Sequence, residues 1–261
     1  MQNIGIIPAR FHSTRFPGKA LADLLGKPMV VRIWERASQA GCLDRVIIAT
    51  DDRRIKDAAE NYGAQVVMTS SEAPSGTDRI AEVAAGLDAE FITNIQGDEP
   101  FITSDMIESA AEALTRADDC EISTLKTALR SEMELYDPNV VKVITDHQNR
   151  ALYFSRYPLP FHEKRNGASG AAGKEPPEAV TPERFFKHIG LYCYRKGFLQ
   201  KFARMEPGFL EKTEKLEQLR VLENGYRITV AKTNQESFGV DTPEDLEKVI
   251  RLLKKRGAKE R

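Results

Sequence analysis

Near its start the chain carries the apolar run Ile4-Gly5-Ile6-Ile7, which is followed by Pro8-Ala9-Arg10 and a polar loop. Uninterrupted hydrophobicity is typical of a strand that is buried on both faces, whereas a strand with one solvated face alternates apolar and polar residues. Strands of the first kind occur mainly in parallel sheets that carry helices on each side. This run therefore predicts a parallel core, with a polar loop at the carboxyl end of its first strand.

Strand-like and helix-like patterns alternate from this run to the middle of the chain. Predicted strands cover residues 46–49, 65–68 and 91–95, and predicted helices cover residues 28–40, 53–62, 77–85 and 104–116. Successive strand, helix and strand units connect through right-handed crossovers, because a right-twisted strand packs back onto its sheet in that hand. The order predicts an α/β fold with a doubly wound, mostly parallel sheet of the Rossmann-like kind.

The pattern changes in the second half, where strand-like runs follow one another with little helix between them. Predicted strands cover residues 122–129, 140–145, 151–154, 185–194 and 227–231, and predicted helices cover residues 213–223 and 243–255. Residues 164–177 are rich in Gly, Ala, Pro and charge, which predicts a mobile surface loop. We expect one domain, residues 1–261, in which a smaller mixed-sheet subdomain follows the parallel part.

Composition restricts the classes of partner. The 38 Lys and Arg residues balance 39 Asp and Glu residues among 261, for a formal charge of −1, so nucleic acid and anionic membranes are disfavoured. Cys42, Cys120 and Cys193 lie far apart in the sequence and fit neither a disulfide framework nor a Cys-x-x-Cys metal site. Because the sequence shows no signal peptide or membrane-spanning run, we expect a cytoplasmic protein with reduced thiols.

The loop after the first strand carries Arg10, Ser13, Arg15 and Lys19. Ligands of open parallel sheets bind at the carboxyl ends of the strands, and cations beside backbone amides suit a polyphosphate. The loop lacks the Gly-x-Gly-x-x-Gly pattern of dinucleotide sites, and it is no P-loop, since Lys19 precedes Ala20 instead of Ser or Thr. A solvated basic connection is the alternative interpretation.

Asp98 is a candidate metal ligand, whereas a metal role for Asp241 needs support from outside its own segment. Asp98 lies in Gln96-Gly97-Asp98-Glu99-Pro100, directly after a hydrophobic strand, where a carboxylate can hold Mg²⁺ against a triphosphate. The same five residues also fit an ordinary turn. Asp241 precedes Thr242-Pro243, a strong helix-start signal with Thr242 as the cap, so the position of Asp241 has an adequate structural explanation.

Two further segments place polar groups where a nucleotide could bind. Thr50 and Asp51 follow the second predicted strand, although the neighbouring Asp52 is also a natural helix cap. The segment Ser75-Gly76-Thr77-Asp78-Arg79 precedes a helix whose first-turn amides suit an anion or the edge of a base. Capping by Ser75 or Thr77 explains this second segment equally well.

Polar residues of the second half suggest a site for a carboxylated sugar. His188 and Tyr192 lie four residues apart on a predicted strand and share a face, Arg156 follows another strand, and Glu217-Gln218 lies on a predicted helix. A cation together with hydroxyl and amide partners suits a sugar acid. Taken singly, each of these residues is better explained by packing and internal hydrogen bonding.

Taken together, these segments resemble the 3-deoxy-manno-octulosonate cytidylyltransferases, also called CMP-Kdo synthetases, over nearly the whole chain. The motifs that carry the resemblance are Ile6-Ile7-Pro8-Ala9-Arg10, Ser13-Thr14-Arg15, Pro17-Gly18-Lys19, Ala49-Thr50-Asp51, Ser75-Gly76-Thr77-Asp78-Arg79, Asn94-Ile95-Gln96-Gly97-Asp98-Glu99-Pro100, Tyr153-Phe154-Ser155-Arg156, His188-Ile189-Gly190-Leu191-Tyr192, Leu216-Glu217-Gln218-Leu219-Arg220 and Gly239-Val240-Asp241-Thr242-Pro243-Glu244-Asp245. The first motif also resembles sialic acid cytidylyltransferases, whereas the 96–100, 188–192 and 216–220 segments together point to Kdo.

The resemblance implies a nucleotidyltransferase that transfers CMP from CTP to the anomeric hydroxyl of Kdo and releases pyrophosphate, for lipopolysaccharide core synthesis. It implies Mg²⁺ held by Asp98 and Asp241, and a homodimer. By the same resemblance, residues 1–130 bind CTP, residues 131–235 form a sugar-binding and dimerisation subdomain, and residues 236–261 supply a metal-site segment and the last helix.

The residue roles that the resemblance implies fall into three groups. The nucleotide-binding residues are Arg10, Ser13, Arg15, Lys19, Thr50, Asp51, Ser75, Arg79 and Gln96. The sugar-binding residues are Gln96, Arg156, His188, Tyr192, Glu217 and Gln218. The catalytic residues are Arg10, Lys19 and Asp98.

Two alternatives remain at the level of sequence. One is an enzyme of the same fold that acts on sialic acid or a different ulosonate. The other is a non-catalytic nucleotide-binding or scaffold protein, against which the joint presence of Arg10, Lys19, Asp98 and Asp241 argues. The sequence departs from the family pattern at three places, which are Phe11, Phe16 and the long segment at residues 164–177.

Overall fold

The computed structural model describes residues 2–160 and 184–257. The predicted mobile loop at 164–177 lies outside these residues. The strands are β1 (Asn3–Ala9), β2 (Arg45–Thr50), β3 (Gln65–Met68), β4 (Phe91–Asn94), β5 (Ile122–Ala128), β6 (Lys142–Thr145), β7 (Ala151–Ser155), β8 (Phe186–Arg195) and β9 (Ile228–Lys232). The helices are α1 (Met29–Ala37), α2 (Arg53–Glu60), α3 (Gly76–Ala85), α4 (Ser104–Thr115), α5 (Glu132–Tyr136), α6 (Lys196–Phe202), α7 (Phe209–Glu214), α8 (Leu219–Glu223) and α9 (Pro243–Gly257), with a 3₁₀ turn at Lys19–Leu21.

The strands form one mixed sheet in the order β3-β2-β1-β4-β8-β5-β9, from which β6 and β7 branch as a hairpin against β8. β8 runs antiparallel to both of its neighbours in this order, β4 and β5. The other neighbouring pairs along the order are parallel. The predicted α/β fold with a mostly parallel sheet is therefore confirmed.

β1 lies in the middle of the parallel part, and its side chains feed two separate cores. Ile7 packs in a cluster with residues of α1 and α4, on one face of the sheet. Ile4 and Ile6 pack in a second cluster with residues of α3 and α6, on the other face. Since fully burying one such side chain contributes about 1.5–3 kcal/mol, both faces of this strand stabilise the fold, as its apolar run predicted.

The prediction of one helix over residues 213–223 is wrong. The structure has two short helices there, α7 and α8, with a break between them. α7 ends because Lys215 adopts the left-handed conformation, with φ 56°. Just before this break, the Glu214 carboxylate accepts hydrogen bonds from Ser155 Oγ (2.6 Å) and Arg156 N (2.9 Å). Contacts with a distant strand therefore accompany a break that local helical periodicity does not show. The short helices α5 and α6 were not predicted.

The sheet reverses its direction of growth between β1 and β4. The chain adds β2 and β3 on one side of β1 and then crosses to β4 on the other side. Loops that leave two such strands diverge, which opens a crevice at their carboxyl ends. The crevice is narrow at its base, where a Cβ placed on Gly97 would lie 2.6 Å from Pro8 O, so this position requires glycine. None of the helices within residues 2–160 and 184–257 combines the length and the hydrophobicity of a membrane span.

Candidate active site

A cleft of about 440 Å³ occupies this crevice. Its polar and charged lining residues come from four separate segments of the chain. They are Arg10, Ser13, Thr14, Arg15, Lys19, Ser75, Arg79, Gln96, Asp98 and Asp241. Because the cations outnumber the carboxylates, the cleft suits a ligand with several negative charges.

Lys19 connects the two candidate metal ligands. Its Nζ lies 2.6 Å from Asp98 Oδ2 and 3.4 Å from Asp241 Oδ1, and it donates to Val240 O at 3.1 Å. The Lys19 side chain is only 16% exposed. Val240 N donates to Asp98 O at 2.8 Å, which ties the two acidic segments together through the backbone. One cation thus lies among three oxygens from two distant parts of the chain.

Asp241 is available to the cleft because its neighbours cap α9. Asp245 N donates to Thr242 Oγ1 (3.2 Å) and Thr242 N donates to Asp245 Oδ2 (3.1 Å), so the predicted cap at Thr242 is confirmed. The Asp241 carboxylate instead forms an ion pair with Arg15, with 3.0 Å between Oδ2 and Nη2. The helix-start signal and a role in the cleft are therefore compatible at this position.

The Ser75 segment likewise serves two purposes. Ser75 caps α3, since Asp78 N donates to its Oγ at 3.2 Å and Asp78 accepts from Ser75 N, and Ser75 also lines the cleft. Arg79 is 4% exposed and forms an ion pair with Asp51 at 3.1 Å. The cleft wall includes Arg79 but not Asp51, so the predicted nucleotide-binding residue Asp51 orients a cation in this structure.

Thr50 also lies behind the cleft wall. It is fully buried, and its Oγ1 accepts a hydrogen bond from Asp52 N at 3.2 Å. Asp52 caps α2 by accepting from Arg54 N at 2.9 Å, which confirms the structural alternative for that residue. A contact between Thr50 and a nucleotide stays a prediction.

The predicted sugar-binding residues of β8 adjoin the cleft. His188 and Tyr192 share a face as predicted, with their rings 5.4 Å apart, although the pairing of β5 with β8 shifts register between them. A Cβ placed on Gly190 would lie 3.4 Å from Glu99 Oε1 and 3.7 Å from Gln96 Cγ. Since Gln96 lines the cleft, β8 brings this face directly beside it.

The loop between α7 and α8 reaches the same region. Thr77 Oγ1 donates to Glu217 Oε2 at 2.5 Å, which links this loop to the start of α3. Gln218 is 7% exposed, and among the described residues its Nε2 has no hydrogen-bond partner. An unsatisfied buried amide costs free energy, so a ligand that accepts a hydrogen bond here is favoured.

The sequence predicts that the Arg156 guanidinium binds the sugar, but in the structure it binds backbone carbonyl groups. Its Nε donates to Glu214 O at 2.8 Å and its Nη1 donates to Pro138 O at 2.9 Å. These contacts fix the end of β7 against α7. The contact between Arg156 and the sugar stays a prediction.

Three polar residues near the site were not proposed as binding residues from sequence, although each lies in a quoted motif. They are Thr77, Asn94 and Glu99. Asn94 Oδ1 is buried without a partner among the described residues, beside Tyr192 in the register of β4 and β8. Burial raises the pKa of Glu99 to about 7, and Ser237 Oγ donates to its carboxylate. Burial also raises the pKa of Glu217.

His188 should titrate below the physiological range. Burial lowers the pKa of its imidazole to about 3, and its Nε2 lies 2.8 Å from Thr124 Oγ1. The unfolded chain, with a His pKa of about 6.5, binds the proton that the folded protein excludes, so stability falls as the pH drops from about 6.5 towards 3. The loss from this group should reach roughly 1–2 kcal/mol at pH 5.

Urea unfolding of His188→Gln at pH 7 and pH 5 measures this effect. The variant should lose less stability than the wild type over that interval. Equal pH dependence in the wild type and His188→Gln would show that His188 is not held neutral by burial.

The carboxylates around Lys19 fit a Mg²⁺ site. Asp98 and Asp241 converge on one cationic nitrogen, with Val240 O as a third oxygen near it. Mg²⁺ prefers one or two carboxylates and takes its other ligands from phosphate oxygens and water. Within residues 2–160 and 184–257, no cluster of three His, Cys, Asp or Glu side chains forms a fuller protein cage. The donor set therefore fits a metal that binds together with a phosphate ligand.

A cleft that joins several cations to two convergent carboxylates, at the switch point of a Rossmann-like sheet, fits a nucleotidyltransferase. Comparison with known proteins narrows this class. A family model described as Cytidylyltransferase matches residues 4–228. The chain is 52% identical over 258 residues to the 3-deoxy-manno-octulosonate cytidylyltransferase of Geotalea uraniireducens. The matched region covers 98% of this chain and 100% of that protein.

Two further comparisons agree. The chain is 51% identical over 251 residues to the protein of the same name from Solibacter usitatus, covering 96% of this chain and 94% of that one. It is also similar to a solved CMP:2-keto-3-deoxy-manno-octonic acid synthetase complexed with CTP, with a TM-score of 0.87, 36% identity, and coverage of 98% of this chain and 100% of that chain. The chain belongs to the 3-deoxy-manno-octulosonate cytidylyltransferase family, which confirms the resemblance seen in its motifs.

Proposed function

We infer that this chain transfers CMP from CTP to the anomeric hydroxyl of Kdo, giving CMP-Kdo and pyrophosphate. The observation that carries this function is the convergence of Arg15, Lys19, Asp98 and Asp241 in one cleft. The names of its relatives supply the nucleotide and the acceptor. The product is an activated sugar for lipopolysaccharide core synthesis.

The cationic side of the cleft binds the triphosphate of CTP. Arg10, Arg15 and Lys19 come from the loop after β1, and Ser13 lies between them in the lining. Displacement at the α-phosphate needs positioning and charge neutralisation more than covalent help, because charge is spread over phosphate oxygens in the transition state. The base and ribose of CTP then lie towards Ser75 and Arg79, beyond which Thr50 and Asp51 support the wall.

Asp98 and Asp241 hold Mg²⁺ in this proposal. When bound, the metal would neutralise charge on the phosphates and lower the pKa of the sugar hydroxyl. Lys19 is then free to bind phosphate oxygens, because its two carboxylate partners have another cation. The described cleft lining includes no histidine, which is consistent with a reaction that depends on positioning and charge.

Kdo binds beside the cleft, against the face of β8 and the α7–α8 loop. The unpartnered Gln218 Nε2 offers a donor to a sugar oxygen, and Gln96 lies on the border between the cleft and β8. Glu217 and Tyr192 complete this side, with His188 held neutral behind the pocket. An uncharged imidazole there adds no charge attraction for the sugar carboxylate.

A pyrophosphate-release assay tests the function. CTP, UTP and ATP are each combined with Kdo, and CTP is also combined with N-acetylneuraminate. Release with CTP and Kdo at a rate at least 100-fold above the other pairs is expected. Preference for N-acetylneuraminate would assign the chain to the sialic acid reaction, and tight CTP binding without turnover would show a non-catalytic nucleotide-binding protein.

We also propose a cytoplasmic homodimer that associates through the second half of the chain. β7 is an edge strand that pairs with β6 alone among the described strands, and it exposes Leu152 at 58%. Met133, Tyr157 and Phe209 are 73–80% exposed apolar residues of the same half. Open strand edges and exposed apolar side chains favour association.

Sedimentation velocity measures the proposed association. The wild type should sediment as a dimer at micromolar concentration, and Leu152→Lys should shift it towards the monomer by placing a charge on the exposed edge strand. Thermal unfolding checks that the variant stays folded. A wild-type chain that sediments as a monomer, or a variant that remains fully dimeric, would exclude association through β7.

A further inference from the structure

Phe11 closes the loop that carries the cations of the cleft. Its carbonyl oxygen accepts a hydrogen bond from Gly18 N at 2.8 Å, so residues 11 to 18 form a closed turn. Its ring packs on Gly18, where an added Cβ would lie 3.1 Å from Phe11 Cε2. Gly18 has φ 75°, a conformation that glycine adopts without strain. Lys19 follows immediately, so the direction of its side chain depends on this closure.

Arg54 of α2 covers the other side of the same ring. Its guanidinium carbon lies 3.3 Å from the centroid of the Phe11 ring, within the range of a cation–π contact. Asp52 orients the guanidinium through two hydrogen bonds, Nε to Oδ1 at 3.0 Å and Nη2 to Oδ2 at 2.6 Å. Because Asp52 also caps α2, the stacked cation is fixed to the end of a helix that packs on the sheet. We name Asp52, Arg54, Phe11 and Gly18 the loop brace.

Neither Phe11 nor Arg54 lines the cleft. The brace therefore acts on the ligand only through the residues that follow Phe11 in the loop. Arg15 at the far side of the turn reaches Asp241, and Lys19 at its end reaches Asp98. Without the brace, an exposed segment rich in polar residues would sample many conformations, and CTP would have to order it on binding.

We propose that Phe11 and Arg54 are positioning residues that hold the cationic loop in its ligand-binding conformation before CTP arrives. The inference rests on the proposed role of this loop in binding the triphosphate. It also gives the aromatic ring at position 11 a structural role. The loss of preorganisation raises the KM for CTP, whereas kcat changes little because the bound loop contacts the same phosphates.

Steady-state kinetics on four variants tests the brace. Arg54→Met keeps the length of the stem and removes the cation, and it should raise the KM for CTP about 3- to 10-fold with kcat within about twofold of the wild type. Phe11→Leu should give a similar shift, and Phe11→Tyr, which retains the ring, should restore the wild-type KM. Arg53→Met removes the neighbouring exposed arginine of α2 and should change neither constant.

A double-mutant cycle decides whether the two residues act as a unit. If they do, Phe11→Leu combined with Arg54→Met should raise the KM no further than the larger single shift, within about twofold. The brace would be overturned if the KM of the double variant rose by the product of the two single-variant increases. An unchanged KM for CTP in Arg54→Met would also overturn it. If Phe11→Leu fails to fold, Arg54→Met alone tests the brace. The Arg54 side chain is 57% exposed, so its replacement should leave the fold intact.

The same assay separates failure of the brace from failure of the proposed function. Arg15→Met tests the triphosphate contact directly, and it should raise the KM for CTP whether or not the brace exists. If Arg15→Met raises the KM for CTP and Arg54→Met does not, the brace is rejected and the proposed function stands. No effect from either variant would reject the assignment of this loop to the triphosphate.

Discussion

Lys19→Met should lower kcat/KM for CTP by about 100- to 1,000-fold, the range found when one preorganised charge-stabilising donor is removed from an active site. Lys19 is the cation that touches both Asp98 and Asp241, and its side chain is largely buried in the cleft. Methionine keeps the length and apolar stem of the side chain but supplies no charge to the phosphates. Initial rates of pyrophosphate release at varied CTP measure the loss.

The matched control for this variant is Lys27→Met. Lys27 forms an ion pair with Glu35 at 2.5 Å, outside the cleft, so its removal should leave kcat/KM within about twofold of the wild type. A second readout does not depend on turnover. Without the lysine, Asp98 and Asp241 have lost a competing cation, and MgCl₂ should raise the Tm of the nucleotide-free variant more than that of the wild type. A loss of rate below about fivefold would contradict the proposed role of Lys19.

Asp98→Asn should reduce turnover by at least about 1,000-fold while the fold is retained. A bound metal contributes several kcal/mol of transition-state stabilisation, and each 1.4 kcal/mol corresponds to about tenfold in rate. The backbone contact from Val240 N to Asp98 O does not involve the side chain, so the two acidic segments stay joined in the variant. Pyrophosphate release and circular dichroism, measured on the same preparation, separate lost activity from lost structure.

Asp88→Asn is the corresponding control. Asp88 is exposed on the connection before β4, at the opposite end of the sheet from the cleft, and its amide should leave turnover unchanged. Titration of Mn²⁺ in the presence of CTP gives a binding readout, in which Asp98→Asn should bind the metal much more weakly than the wild type. Near-normal activity of Asp98→Asn at limiting metal would exclude a metal role for this carboxylate.

Local sequence signals were sufficient for the parallel part of the fold. The run at β1 predicted a strand buried on both faces, and Ile7 on one face with Ile4 and Ile6 on the other shows how both faces are used. Helix starts with a clear cap were also predictable, as at Thr242. These features depend on periodicity and on hydrogen bonds between residues a few positions apart, which the sequence displays directly.

The second half was predictable only in part, because its elements depend on distant partners. The expected helix 213–223 is divided at Lys215, beside the contacts of Glu214 with Ser155 and Arg156. β8 runs antiparallel between β4 and β5 in the main sheet, a pairing that no local pattern specifies. Strand order is set by the summed packing of whole elements, so a short segment carries little information about it.

The candidate site shows the same division. The sequence by itself determined that cations follow β1, that carboxylates stand at positions 98 and 241, and that their motifs resemble one family. Only the tertiary structure decided that Lys19 lies between Asp98 and Asp241, that Asp51 faces Arg79, and that Gln218 Nε2 is buried without a partner in the described chain. The physical reason is that residue types fix the available charges and hydrogen-bonding groups, whereas their distances and burial arise when the switch point of the sheet brings separate loops together.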